Sequence, residues 1–285
     1  MNTLRLPSLI RFAFLIAIRR TTADWRLQIA AGFGMILAVA LMASAVIYSN
    51  ALKETALQHT LRNVTAEKLD LMTGFSHPLE KEPFFATKGY VETQLQNPIQ
   101  PYLEDSSLFI RTATFYFTGN ERLDLPSSQR PRGPIHGVTQ LQDHVRVIEG
   151  RLPLEGSQVL EVVLDSLGAS ALGVSAGDQL EIFPALQQEN IERTLQVTVV
   201  GIIEPIDPTE RYWQIGFPKR FTETGQWATV PLYTNISDLF DTLGAAFPGL
   251  NADYFWFFFL DREGLRAEAA DTLRELLPYV RANIF

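Results

Sequence analysis

From Leu27 to Ser49 the chain reads LQIAAGFGMILAVALMASAVIYS, 23 residues without a single charge. At ~1.5 Å per residue such a helix covers roughly 34 Å, somewhat more than the ~30 Å hydrocarbon layer of a bilayer, so it spans with modest tilt. A buried core helix of that length ordinarily carries a polar face, and this run has none. A cleaved secretion signal is the other alternative, with Ala43-Ser44-Ala45 as a cleavage-like site. The apolar run is longer than a signal's hydrophobic region, however, and 26 residues precede it.

Charge orients the span. Residues 1–26 hold Arg5, Arg11, Arg19, Arg20 and Arg26 against Asp24, or 5 − 1 = +4. The remainder holds 24 − 5 = 19 basic and 32 − 1 = 31 acidic residues, or −12. The positive-inside rule then keeps the N-terminus in the cytoplasm and puts residues 50–285 outside the cytoplasmic (inner) membrane. An acidic outer part without a basic stripe argues against nucleic acid as a partner. With no cysteine, disulfides and thiolate metal sites are excluded, and core packing must hold the outer part together.

The pattern along the chain predicts four segments: a basic, interfacial piece over 1–26, the transmembrane helix over 27–49, a helical stalk over 50–75, and an α+β extracytoplasmic core domain over 76–285. In the first, LRLPSLIRFAFLIAIRR reads as a helix lying at the headgroups. Ala30, Gly34, Ala38 and Ala45 form a small-residue face on the span, suited to close approach by another helix; small residues are also common in any spanning helix. Leu57, Leu61 and Val64 recur at helical spacing, and Tyr48 to Leu71 lacks Gly and Pro, so the helix is expected to continue outward until His77-Pro78.

Beyond it, Ala86–Leu95 reads as a short helix and Ser107–Thr118 as a strand. Residues 119–141, rich in Gly, Pro, Ser and Arg, read as a surface loop. Strands are expected at His144–Glu149, Val159–Leu164, Gln179–Phe183, Thr194–Ile203, Ala228–Tyr233 and Tyr254–Leu260, with helical turns over Asp165–Leu172. Glu204–Thr224 reads as a second loop. Ser237 is expected to cap a helix reaching Ala246, and Arg262–Leu277 to form an amphipathic helix.

Catalytic and cofactor motifs are missing from the sequence. There is no phosphate-binding glycine loop, so the chain is not itself an ATPase. His59, His77, His136 and His144 show no metal-ligand spacing, and no nucleophile elbow occurs. The expectation is a non-enzyme without cofactor, metal or catalytic residues. Ile148-Glu149-Gly150-Arg151 resembles a protease recognition sequence but reads more simply as a strand end and a turn. Asn63-Val64-Thr65 and Asn235-Ile236-Ser237 are sequons that matter only in a glycosylating host.

One stretch carries more information. VIEGRLPLEGSQVLEVVLDSLGASALGVSAGDQLEIF, Val147 to Phe183, is followed by LQVTVVGIIEP, Leu195 to Pro205. The order is Gly150-Arg151 after a strand, an aliphatic strand, a small-residue helix, Leu172-Gly173, a turn at Gly177-Asp178, and a strand through Val199-Val200-Gly201. With the preceding span, it resembles the extracytoplasmic core of MacB/FtsX-like ABC transporter permeases. That resemblance implies a permease component worked by a separate cytoplasmic ABC ATPase, with the lipid bilayer and either further permease helices or a second permease copy as partners. Because the family continues into further spans, the chain ending at Phe285 is expected to be the N-terminal portion of a permease, a split subunit or a truncated product. The alternative is a membrane-anchored extracytoplasmic sensor or ligand-binding domain, and an anchored enzyme is a third reading.

Overall fold

A computed structural model describes residues 25–64, 69–119, 123, 129–185, 193–214, 220–224, 227–267, 269–270 and 272–275. The interfacial helix expected before the span lies outside the described residues. The chain forms two compact units, residues 1–60 and 61–285.

Helix α1, Trp25–Asn63, runs unbroken for 39 residues, which is ~58 Å at ~1.5 Å per residue. Every residue from Leu27 to Ser49 is exposed. The helix is long and apolar enough, by length and composition, to cross a membrane. The Ser44 hydroxyl, within this polar-poor stretch, donates to the Ala40 carbonyl at 2.7 Å and so is satisfied within the helix.

The helical reading of 50–75 fails past Asn63. Leu71–Pro78 is strand β1, paired antiparallel with a later strand, Asn251–Leu260. The lack of Gly and Pro up to Leu71 permits a helix; two-sided burial decides otherwise. Leu71 and Phe75 pack against the main core and Met72 against a separate phenylalanine cluster on the other side, the period-two pattern of a strand.

After β1, α2 spans Lys81–Val91, with Pro83 in its first turn, where no amide is needed. It passes into a wider turn over Glu92–Gln96. Then follow β2 (Leu103–Thr118), β3 (Arg132–Val138), α3 (Leu141–His144), β4 (Val145–Gly150), β5 (Leu160–Asp165), α4 (Ser166–Leu172), β6 (Gln179–Pro184) and β7 (Leu195–Pro205). The last stretch holds α5 (Arg211–Gln214), β8 (Thr222–Thr224), β9 (Trp227–Thr229), β10 (Leu232–Thr234) and β11 (Asn251–Leu260).

Among the described residues these strands form one mixed sheet of 11 strands. Part of it closes on itself: β2 pairs with β6, β6 with β7, β7 with β5, β5 with β10, β10 with β3, and β3 with β2. The 16-residue β2 makes closure possible. One of its ends pairs with β11 and the other with β6, and its pairing with β3 shifts register between Arg111 and Thr114. Such an irregularity bends a strand around a barrel. The ring encloses Phe115, Phe117, Ile135, Val162, Leu164, Ile182, Val197 and Leu232, all essentially inaccessible.

The loop expected over 119–141 contains β3, whose Gly133 and Pro134 serve close packing: a Cβ on Gly133 would lie 1.9 Å from the Val230 carbonyl oxygen. The loop expected over 204–224 holds the end of β7 together with α5 and β8. The strand expected over 228–233 is split into β9 and β10 around Pro231, which has no amide to donate. Ser237 does not cap its helix. Asn235 occupies the cap position, and a helical turn over Ile236–Asp238 widens over Leu239–Gly244. At the C-terminal side, a turn over Asp261–Gly264 precedes the described helical residues 267, 269–270 and 272–275, so that helix starts later than Arg262.

Candidate functional site

Of the residues singled out between Gly150 and Gly201, all but Gly173 come together at one corner, where β4 pairs antiparallel with β7. Gly150 has φ +72° and ends β4 opposite Gly201. The backbones approach so closely that a Cβ on Gly150 would fall 2.1 Å from the Val200 carbonyl oxygen, and one on Gly201 would fall 2.3 Å from that of Arg151. The Arg151 amide donates to the Val200 carbonyl at 2.9 Å. Its guanidinium grips Glu161 of β5 with two bonds of 2.7 and 2.6 Å. Glu161 also accepts from the Leu154 amide, and the Arg151 hydrogen bonds hold its carboxyl below the usual carboxylate range.

The adjoining turn locks onto the same place. Gly177 (φ +100°) donates to the Val199 carbonyl at 2.7 Å, and the Val199 amide donates to the Asp178 carbonyl. The Asp178 carboxylate accepts from Ser175, and Glu149 accepts from Ala176. Gly173 ends α4 in the left-handed conformation, φ 68°, while Asp165 starts it by accepting from the Leu167 amide at 2.8 Å. This corner is built for rigidity. The Ile-Glu-Gly-Arg run is therefore part of a strand pair and is not a free loop.

A second cluster forms around α5, inside the stretch expected to be a loop over 204–224. Arg211 of α5 bonds to Asp70, the residue before β1, at 2.9 Å, and to Glu104 at the start of β2. Its guanidinium lies over the Phe259 ring. The Asp70 side chain is inaccessible, and its Oδ1 also accepts from the Leu260 amide at 3.1 Å. Burial pushes its carboxyl above the usual range despite the neighbouring guanidinium. Oδ2 finds no partner among the described residues. The same short turn reaches the other way. Tyr212 stacks on His144, with ring centroids 3.7 Å apart, and donates to the Thr139 carbonyl, while Glu210 bonds to His144 Nδ1 at 2.9 Å.

Arg211-Tyr212-Trp213 was the available signal: a cation and two large aromatics in a loop rarely remain solvated. The other histidines do not build a centre. His77 stacks on Tyr254, and buried His136 packs edge-on against Phe109 and Tyr233. His59 lies exposed on α1. Among the described residues no three His, Asp or Glu side chains converge to hold a metal ion. Ala30, Gly34, Ala38 and Ala45 all lie on the open surface of α1, and a methyl at Gly34 would meet nothing within 4 Å.

No protein-family model matches the chain, and no curated protein matches it. Among solved structures, the chain is similar to a domain of a provisionally assigned permease protein from Porphyromonas gingivalis, with 11% identity and a TM-score of 0.37 over 77% of this chain and 86% of that one. That score is too low to show a shared fold.

Proposed function

We propose that the protein is a non-enzymatic permease component of an ABC-type membrane complex, anchored by α1 and carrying its sheet domain outside the cytoplasm. The observation that carries the anchoring is α1 itself, whose Leu27–Ser49 stretch is uncharged and exposed over its whole length. In water such a surface is a large hydrophobic cost; in lipid it is not. The order of Gly150-Arg151, Gly173, Gly177-Asp178 and Gly201 supports the permease reading through its resemblance to MacB/FtsX-like proteins. In this reading a separate cytoplasmic ATPase supplies the work, and α1, helical past the expected membrane boundary to Asn63, is the stalk that carries motion outward.

The test is co-purification. Membranes from the native host, solubilised in mild detergent, should yield this chain with an ABC ATPase subunit. Recovery without any ATPase, with the partner genes intact and expressed, contradicts the permease reading and leaves the anchored-sensor alternative.

A further inference from the structure

The turn Glu210–Trp213 stands between two parts of the sheet domain, and its neighbouring side chains hold different strands. Arg211 collects the end of the chain's entry segment (Asp70), the start of β2 (Glu104) and, through a 3.5 Å contact with its carbonyl, the end of β11 at Leu260. Six residues of sequence, 64–69, separate Asp70 from the last residue of α1. Glu210 and Tyr212 hold His144 at the junction of α3 and β4. Trp213 sets its ring edge-on to Tyr233 of β10, with centroids 6.4 Å apart.

We infer that this turn is a mechanical tie. It couples the point where the chain enters the sheet from α1, Asp70, to the β4 and β10 side of the closed ring, so that loosening one end loosens the other. The inference deepens the permease reading, on which its use as a relay rests.

Three physical features suit it to that task. The Asp70 end is an inaccessible carboxylate that would keep only the Leu260 amide if Arg211 left, so breaking that contact is costly. The His144 end is a ring stack backed by a carboxylate bond, fixed in both position and orientation. Between them lies one helical turn, closed by the Trp213 amide on the Glu210 carbonyl at 3.0 Å, too short to absorb displacement by bending.

The two ends supply their own reporters. The Leu260 amide donates to Asp70, and the Ile206 amide donates to the His144 carbonyl at 3.0 Å. Hydrogen–deuterium exchange on the full chain in lipid nanodiscs reads both. His144→Ala, whose ring partners are Glu210 and Tyr212, should raise exchange at Leu260 several-fold; Arg211→Met should reciprocally raise it at Ile206, as linkage requires. If His144→Ala perturbs the whole domain, Tyr212→Phe, which deletes the hydroxyl bonded to the Thr139 carbonyl and keeps the ring on His144, should still raise Leu260 exchange. Effects that stop at α3 and β4 for the first variant, and at Asp70 and β11 for the second, overturn the tie. Membrane integration and ATPase recovery of the same samples report separately on the permease reading, so failure of either is recognised by itself.

Discussion

Asp70 shows how one residue's environment sets a measurable property. Its side chain is inaccessible, and desolvation outweighs the attraction of Arg211, so its carboxyl holds a proton more tightly folded than unfolded. Between the unfolded value, about 3.9, and the raised folded one, the folded state binds more protons. Asp70's stabilising contribution is therefore full below that window and lost as pH rises through it. Asp70→Asn cannot ionise and lacks this decline. Thermal unfolding from pH 4 toward neutrality should show the variant gaining on the wild type as pH rises. A constant difference would mean that burial and Arg211 balance, and one favouring the wild type increasingly would mean that Arg211 wins over burial.

At the scale of elements, the β4–β7 pairing makes a sharper distinction between glycines than their sequence spacing does. Gly201→Ala places a methyl 2.3 Å from a backbone oxygen that cannot step aside, whereas the Cβ of Gly177→Ala meets nothing and suffers only from φ +100°. Overpacking costs about 1–3 kcal/mol, and more where backbone must move; a left-handed non-glycine residue costs about 1–2 kcal/mol. Chemical denaturation of the full chain in detergent should therefore rank Gly201→Ala as the more destabilised. Equal losses would show that the β4–β7 contact relaxes.

The strands of this corner were legible because β5 and β7 are aliphatic and β-branched, and Asp165 and Gly173 bracket α4 with ordinary capping chemistry. β3 was not, because its Gly133, Pro134 and Gly137 resemble turn residues, and only the closeness of Val230 and Leu239 reveals that they serve packing. β1 was hidden for the opposite reason: the Gly- and Pro-free run before it reads as a helix that simply continues, and its partner β11 is distant in sequence, 181 residues away at Gly74 and Phe255. The α5 cluster was visible as composition but not as contacts, since Asp70, Glu104, His144 and Arg211 meet only after the sheet has formed.

For the whole molecule, the sequence carries the anchor in full and the closed ring hardly at all. An uncharged apolar run is a property of consecutive residues; ring closure depends on β2 reaching both β3 and β6, which no window reveals. Orientation rests on the +4 against −12 charge division. The chain has no cysteine, so a single introduced one is an unambiguous reporter. Leu154, 58% exposed in the loop after β4, is a suitable position. Leu154→Cys in sealed spheroplasts, treated with a membrane-impermeant maleimide, should label fully without permeabilisation. Labelling only after the membrane is opened would place the sheet domain in the cytoplasm and contradict the account.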